Sequence, residues 1–398
     1  MNSRERILAA IHHRPVDRPP LYLRLWDMHD GVDNFPFNWR NQVARAEYLL
    51  KLGVDDTLLL EPPLGYPEEY HADLVPGVTA TVSELPPLEG EEWPRLSKEY
   101  HTPDGPLTIT VKTSADWIHG KDIMLFSDFN IPRQTETIIK TVEDVRRLKH
   151  LLAEPSAEQV KEFHQRAEEI HSEADRLGVA IDGGWSALGD SAVWLCGINN
   201  IYRWQMHQPD LLDALFDVLL EWEARRTRQV LQAGIDVMVH MAWYEGTTFW
   251  TPKSFRRFIK PRLAQLVNMC HESGVPFRYI ITKEWKPIQD DLLELGIDCI
   301  TGVDPVQDKI DLKEVKTQIG SRICLMGGIN AAVTVAQAKE DQVRASIDQA
   351  IEILSPGGGF ILFPVDNLFC SMPWQRVLLV IDQYWKSCDK QARRQMIE

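Results

Sequence analysis

Residues 234–273 read GIDVMVHMAWYEGTTFWTPKSFRRFIKPRLAQLVNMCHES. The stretch opens on an apolar run, 235–241, interrupted by Asp236 and His240. A polar and aromatic turn follows, Trp243-Tyr244-Glu245-Gly246. Thr251-Pro252 then marks a helix start, with threonine as N-cap and proline at the first helical position. Strand, polar loop and capped helix make one βα unit. In parallel α/β proteins chemistry gathers where such strands end. Whether the unit repeats decides the fold.

It does repeat. Apolar runs that predict strands begin at Leu21, Val54, Val179, Ile235, Pro276, Ile297, Arg322 and Gly359, and a helical pattern follows each. The clearest helices are expected over 157–177, 209–232, 288–295, 311–319, 331–354 and 372–387, with a kink at Pro261. A first helix over 4–12, capped by Ser3, precedes them. Eight βα units within 398 residues predict an α/β fold, a TIM (β/α)8 barrel forming one domain over 1–398. The rhythm breaks at about 62–155, a region rich in Pro and Glu with β-like runs at 78–83 and 107–113. An antiparallel hairpin insertion after the second strand is expected there, followed by a capped helix start at Thr141-Val142-Glu143-Asp144. A doubly wound open sheet is the competing architecture, but no Gly-rich nucleotide fingerprint follows an early strand.

Composition narrows the partners. Hydrophobic residues make up 44% of the chain, enough for a large core. A formal net charge of −15 argues against nucleic acid as the main partner, yet leaves room for an anionic small molecule held by a few arginines. No apolar run reaches the roughly 18 residues of a membrane span, and the start MNSRERILAAIHH reads as a charged helix rather than a signal peptide. A soluble, cytoplasmic protein is expected. The six cysteines form no C-x-x-C pair, and Cys270, Cys299 and Cys324 sit in apolar surroundings as buried small hydrophobes.

The strand ends carry the candidate chemistry: Arg24, Asp27 and His29; Glu61; Asp182 and Trp185; His240, Trp243, Tyr244 and Glu245; Lys283 and Glu284; Asp304; Asn330; Asp366 and Asn367. Together they predict a charged, aromatic-lined mouth suited to acid/base work on a polar substrate. His240 and Glu245, with Asp182 and Asp366, are the candidates for moving protons. The others are candidates for holding an anionic or aromatic small molecule. Each has a plainer reading: His240 as a core histidine with a backbone partner, Glu245 as a loop carboxylate. Arg24 and Lys283 either clamp a substrate carboxylate or pair with Asp27 and Glu284. Gly327-Gly328-Ile329-Asn330 is either a phosphate cradle or a tight strand exit, whereas Gly357-Gly358-Gly359 reads as turn chemistry.

Motifs in order along the chain carry a family resemblance: S-R-E-R-I-L-A-A-I-H-H-R-P-V-D-R-P-P at 3–20, A-G-I-D-V at 233–237 and T-P-K-S-F-R-R-F-I-K-P at 251–261. H-E-S-G-V-P-F at 271–277, L-G-I-D-C-I-T-G-V-D-P at 295–305, L-M-G-G-I-N at 325–330 and P-G-G-G-F-I-L-F-P-V-D-N at 356–367 continue it. This set resembles the uroporphyrinogen decarboxylase superfamily. The resemblance implies a TIM barrel, a homodimer, and either decarboxylation or corrinoid-linked methyl transfer. Two departures matter. The decarboxylases carry an R-Q-A-G-R-Y-like segment after the first strand, where this chain has Y-L-R-L-W-D-M-H-D-G and keeps only Arg24. The zinc-dependent thiol methyltransferases carry H-x-C after the strand at Pro276, where this chain has P-F-R-Y-I-I-T-K-E-W; Cys370 alone does not make a zinc site.

Elimination therefore leads to one-carbon (methyl) transfer without zinc, with no tightly bound cofactor and methylcobalamin supplied by a partner corrinoid protein. The rival readings are decarboxylation of uroporphyrinogen or another carboxylated aromatic, and a non-catalytic barrel that binds a tetrapyrrole or a corrinoid protein.

Overall fold

A computed structural model of the chain describes residues 1–26, 31–65, 67 and 70–395. The strands, in chain order, are β1 (Leu25–Trp26), β2 (Thr57–Leu60), β3 (Thr79–Leu85), β4 (Arg95–Thr102), β5 (Gly105–Lys112), β6 (Gln134–Glu136) and β7 (Ala180–Ala187). They continue as β8 (Val237–Met241), β9 (Phe277–Ile280), β10 (Cys299–Val303), β11 (Cys324–Asn330), β12 (Phe360–Val365) and β13 (Leu368–Phe369).

Strand β2 and strands β7 to β12 pair in chain order as one parallel, seven-stranded sheet. The eighth position is filled more loosely than expected. Tyr22 N–H donates to the Leu362 carbonyl (3.0 Å), Leu362 N–H to the Pro20 carbonyl (2.8 Å) and Asp55 N–H to the Leu21 carbonyl (2.8 Å). The segment thus bridges both edges of the curled sheet, Leu21 to Leu362 and Tyr22 to Asp55, each parallel. The result is TIM-barrel-like. Leu21 N–H donates to the Asp55 carboxylate (3.2 Å) rather than to a neighbouring strand, so the segment makes single bridges and not a regular strand over 21–25. Its last residues instead become β1, which pairs with β13.

Alternation along the strands sorts side chains into two cores. Val237 joins Cys299, Cys324, Met326, Ile361 and Phe363 in an inner cluster, plugged by Ile7, Ala10 and Ile11 of the first helix. Met238, one residue on, packs in the larger core between sheet and helices. The first helix, Ser3–Ile11, is capped by Asn2 in a capping box with Glu5 rather than by Ser3. Ser3 Oγ donates to the Asp56 carbonyl (3.3 Å) instead.

The insertion holds a four-stranded antiparallel sheet, β3-β4-β5-β6, so the expected hairpin partners are separated by β4. Strand β4 buries Leu96, Lys98 and Tyr100 on one face, and a lysine at a buried position hides the apolar alternation. Lys98 is paired there with Asp122 at 2.7 Å. Helix Val142–Leu151 begins with the Thr141–Asp144 capping box. Helices Ala157–Leu177 and Pro209–Gln232 run as expected. Around Pro261 the helix is interrupted by a π-turn, Phe255–Ile259, before Lys260–Glu272. Among the described residues no helix is long and apolar enough to cross a membrane.

Candidate functional site

The strand ends converge on a cleft of about 720 Å³, lined among others by Asp128, Trp243, Tyr244, Lys283, Asp304, Asp366 and Asn367. Inside the barrel lies a smaller cavity of about 100 Å³, whose lining includes Arg24, Asp182, Trp185 and Arg278. Trp26 lines both. Asp27 and His29 fall outside the described residues.

Arg24 stands between the two spaces. Its guanidinium carbon is 4.4 Å from the ring centroid of Trp185, 4.9 Å from that of Trp26 and 5.5 Å from that of Trp243. Indole faces attract a cation and keep water from it. Trp185 reaches this place through a bulge in β7 between Gly184 and Ser186, where it takes φ +49°. A bulge re-aims one side chain out of the strand's alternation.

On the cleft wall, burial pushes the half-buried Asp366 carboxyl above the usual range; Arg24 and Lys283 oppose the shift and Asp304 adds to it. Neighbouring Asn367 is buried, and its Oδ1 has no hydrogen-bond partner among the described residues. Asp304 accepts N–H groups of Val306 (2.8 Å) and Gln307 (3.2 Å) and the Asn330 side-chain amide (2.7 Å). Asn330 in turn caps the π-turn Ala331–Val335 by accepting Val333 N–H at 2.7 Å. At Gly327, φ +152°, an added Cβ would lie 2.5 Å from the Val303 carbonyl oxygen. Residues 327–330 are thus a close-packed strand exit and cap. Lys283 and Glu284 are exposed. The Glu284 carbonyl accepts Thr247 N–H (2.9 Å) and Oγ1–H (2.7 Å), tying the loop after β9 to the loop after β8. Glu61 follows β2 and lines neither space, while its carbonyl accepts from Arg166 at 3.2 Å.

His240 and Glu245 are fully buried and do not reach the cleft. His240 shares the parity of Met238, so its ring faces the helices and stacks on Tyr279 at 5.5 Å and 13°. Its Nδ1 is 2.6 Å from Ser186 Oγ and its Nε2 is 3.0 Å from Glu245 Oε1. Glu245 also accepts Tyr279 O–H (2.5 Å) and Gly189 N–H (2.7 Å). Alongside, Asp190 accepts the N–H groups of Trp243 (3.1 Å) and Tyr244 (3.2 Å), and burial next to Glu245 raises its carboxyl well above the usual range. This buried cluster sets the loop that carries Trp243 and Tyr244 to the cleft.

Asp128, from the insertion, was not anticipated. It accepts Tyr244 O–H (3.0 Å) and Trp194 Nε1–H (2.6 Å), and burial raises its carboxyl. Arg278 was also missed. It donates to Asp182 Oδ2 at 2.5 Å inside the barrel, where Thr57 Oγ1 donates to the same oxygen at 2.9 Å. A cation in mid-strand, two residues past Pro276, was the signal available for it.

Among the described residues, those after β9 and Cys370 do not fit zinc. Ile281, Thr282 and Lys283 follow β9, and the buried Cys370 donates to the Val32 carbonyl at 3.1 Å. Among the described residues no three His, Cys, Asp or Glu side chains gather to hold a metal ion.

The family model for uroporphyrinogen decarboxylase (URO-D) matches residues 124–386. The methylcobamide:CoM methyltransferase MtaA of Methanosarcina barkeri is 25% identical over 196 residues, 48% of this chain and 56% of that protein. The match with the strain Fusaro protein of the same description is 24% identical over the same coverage. The chain therefore spans little more than half the length of the curated relatives it matches. A methyltransferase from Methanosarcina mazei, 17% identical, shares the fold with a TM-score of 0.59, covering 97% of this chain and 99% of that one. Since the family match takes in more than half of the residues, from within the insertion to the last helix, the chain belongs to the uroporphyrinogen decarboxylase family.

Proposed function

We propose that this chain is a methyltransferase that moves a methyl group between a corrinoid carried by a partner protein and the heteroatom of a small, flat, carboxylate-bearing molecule. The observation that carries this reading is Asp366, raised by burial, on the wall of an aromatic cleft that adjoins the interior cavity lined by the indole-flanked Arg24. The likeness to methylcobamide:CoM methyltransferases supports the choice of methyl transfer.

The corrinoid, when docked, supplies a methyl group for transfer. Phe129, Trp243 and Phe249, which line the cleft with aromatic surface, are the residues that would hold the corrinoid. Arg24 pairs with the acceptor's carboxylate, and its stacked indoles exclude water and strengthen that pair. Asp366, more basic than an ordinary carboxylate once ionised, takes the proton of the acceptor's O–H or S–H as that atom bonds to the methyl group, whose former bonding pair stays with the methyl carrier. In the reverse direction it returns the proton to the departing heteroatom. The side-chain oxygen of Asn367 accepts a hydrogen bond from the acceptor, and Lys283 at the rim draws anions in. In this reading the half-buried Asp366 carboxylate generates the nucleophile.

The test is anaerobic incubation of the protein with methylcobalamin and a panel of hydroxy- and mercaptobenzoates. Loss of methylcobalamin with methylation of the acceptor supports the reading. Turnover of uroporphyrinogen, with methylcobalamin untouched by every acceptor, would replace it with decarboxylation.

A further inference from the structure

Barrel interiors are ordinarily filled by layers of side chains. Here the interior keeps a cavity of about 100 Å³, bounded in part by the apolar Leu59, Ile280, Met326 and Phe363. Among the described residues three guanidinium groups line it, from Arg24, Arg45 and Arg278, against one lining carboxylate, Asp182. Arg45 is committed to Asp56 (2.8 Å) and the Thr57 carbonyl (2.8 Å). Arg278 spends one N–H on Asp182, and its Nε has no partner among the described residues although the residue is only 4% exposed. A buried cation with an unmet donor is costly, and an entering anion recovers that cost.

We propose that this cavity is a carboxylate-binding subsite in which Arg278, together with Arg24, holds the anionic end of the substrate while the reacting end lies in the cleft. The placement of the reacting end rests on the methyl-transfer reading above. The volume admits a small end group, about that of three water molecules at roughly 30 Å³ each. The way in passes Trp26, which borders both spaces, so the connecting part of the molecule is slender and flat. Asp182 is engaged through Oδ2; its Oδ1, without a partner among the described residues, accepts a hydroxyl or water beside the carboxylate. The substrate class is therefore a flat carboxylic acid whose acid group is separated from the methyl-accepting atom.

Calorimetric titration of the full chain with trans-cinnamate and with its amide, without corrinoid, tests this. Cinnamate is expected to bind at least tenfold more tightly than cinnamamide. Thr301→Leu fills the cavity from its wall and leaves the ion pair intact. The double variant Arg278→Met with Asp182→Leu removes both charges, so neither is stranded. Both variants are expected to lose the preference. Equal binding of the two ligands to the unaltered protein, no binding of either, or a preference that survives Thr301→Leu would overturn the subsite. A preference lost in Thr301→Leu in a protein that methylates no acceptor would leave the subsite standing and remove the methyl-transfer reading. Methyl transfer with a preference untouched by Thr301→Leu would do the opposite.

Discussion

The guanidinium carbon of Arg24 lies 4.4 Å from the centroid of Trp185, so a cation from the segment before β1 is held by a side chain that a bulge turns out of β7. The left-handed backbone of Trp185 costs about 1–2 kcal/mol, and a desolvated cation–π contact returns about as much. The pair fixes one charged group at the boundary between cleft and barrel interior.

If Arg24 anchors the acceptor's carboxylate, Arg24→Gln raises KM for carboxylate acceptors roughly tenfold to a hundredfold, as expected for a lost charge-assisted contact of about 1.5–3 kcal/mol. The effect on kcat stays within a few-fold. Arg24→Lys recovers part of the loss, since lysine restores charge but not the planar stack. Steady-state kinetics at several acceptor concentrations separates the two parameters.

His240 and Glu245 form a pair enclosed with Ser186 and Tyr279. His240→Leu removes one of the three hydrogen-bond partners that the buried Glu245 carboxylate has among the described residues, and is expected to cost about 1–3 kcal/mol of stability, read as a lower denaturant midpoint. Turnover per folded molecule should fall little. Abolished turnover with an unchanged midpoint would instead put His240 in the chemistry.

Glu223 offers a pH test. Burial raises its carboxyl from 4.5 to about 7, with Arg226 opposing. The folded chain therefore holds this proton more tightly than the unfolded chain. The associated stability is complete below about pH 4.5 and is lost as pH rises through about 7. Glu223→Gln keeps a neutral side chain, and denaturant unfolding should show that part of the pH dependence removed.

Asp128 links the insertion to the cleft through Tyr244 and Trp194. Asp128→Ala removes the hydrogen bonds from Tyr244 and Trp194 to its carboxylate and should cost about 1–3 kcal/mol. Tyr244→Phe, which removes the hydrogen bond to Asp128 and keeps that from Trp194, should cost about 0.5–1.5 kcal/mol. Both should raise KM, because Tyr244 lines the cleft. Urea unfolding and acceptor titration of the two variants check this.

The barrel was legible because its strands are apolar runs at even spacing with helical periodicity between them. The loose eighth position was not, since the Asp55 side chain that takes the Leu21 N–H lies 34 residues on and leaves the apolar pattern undisturbed. At the site, strand-end position identified Trp243, Tyr244, Lys283, Asp304, Asp366 and Asn367 as cleft residues by place. Position without parity misplaced His240: Val237 faces the inner cluster, so the residue three further on faces the helices. The same parity would have turned Arg278 inward once the strand was known. Asp128 left no trace, because its approach to Tyr244 depends on how a long insertion folds back over the barrel.

The most direct test of the central claim is the single-turnover rate of methylcobalamin demethylation at saturating acceptor, compared between the unaltered protein and Asp366→Asn. The expected result is acceptor-dependent transfer in the unaltered protein and a rate about a hundredfold lower in Asp366→Asn, with acceptor affinity preserved. No transfer to any carboxylate-bearing acceptor, or equal rates in the two proteins, would contradict it.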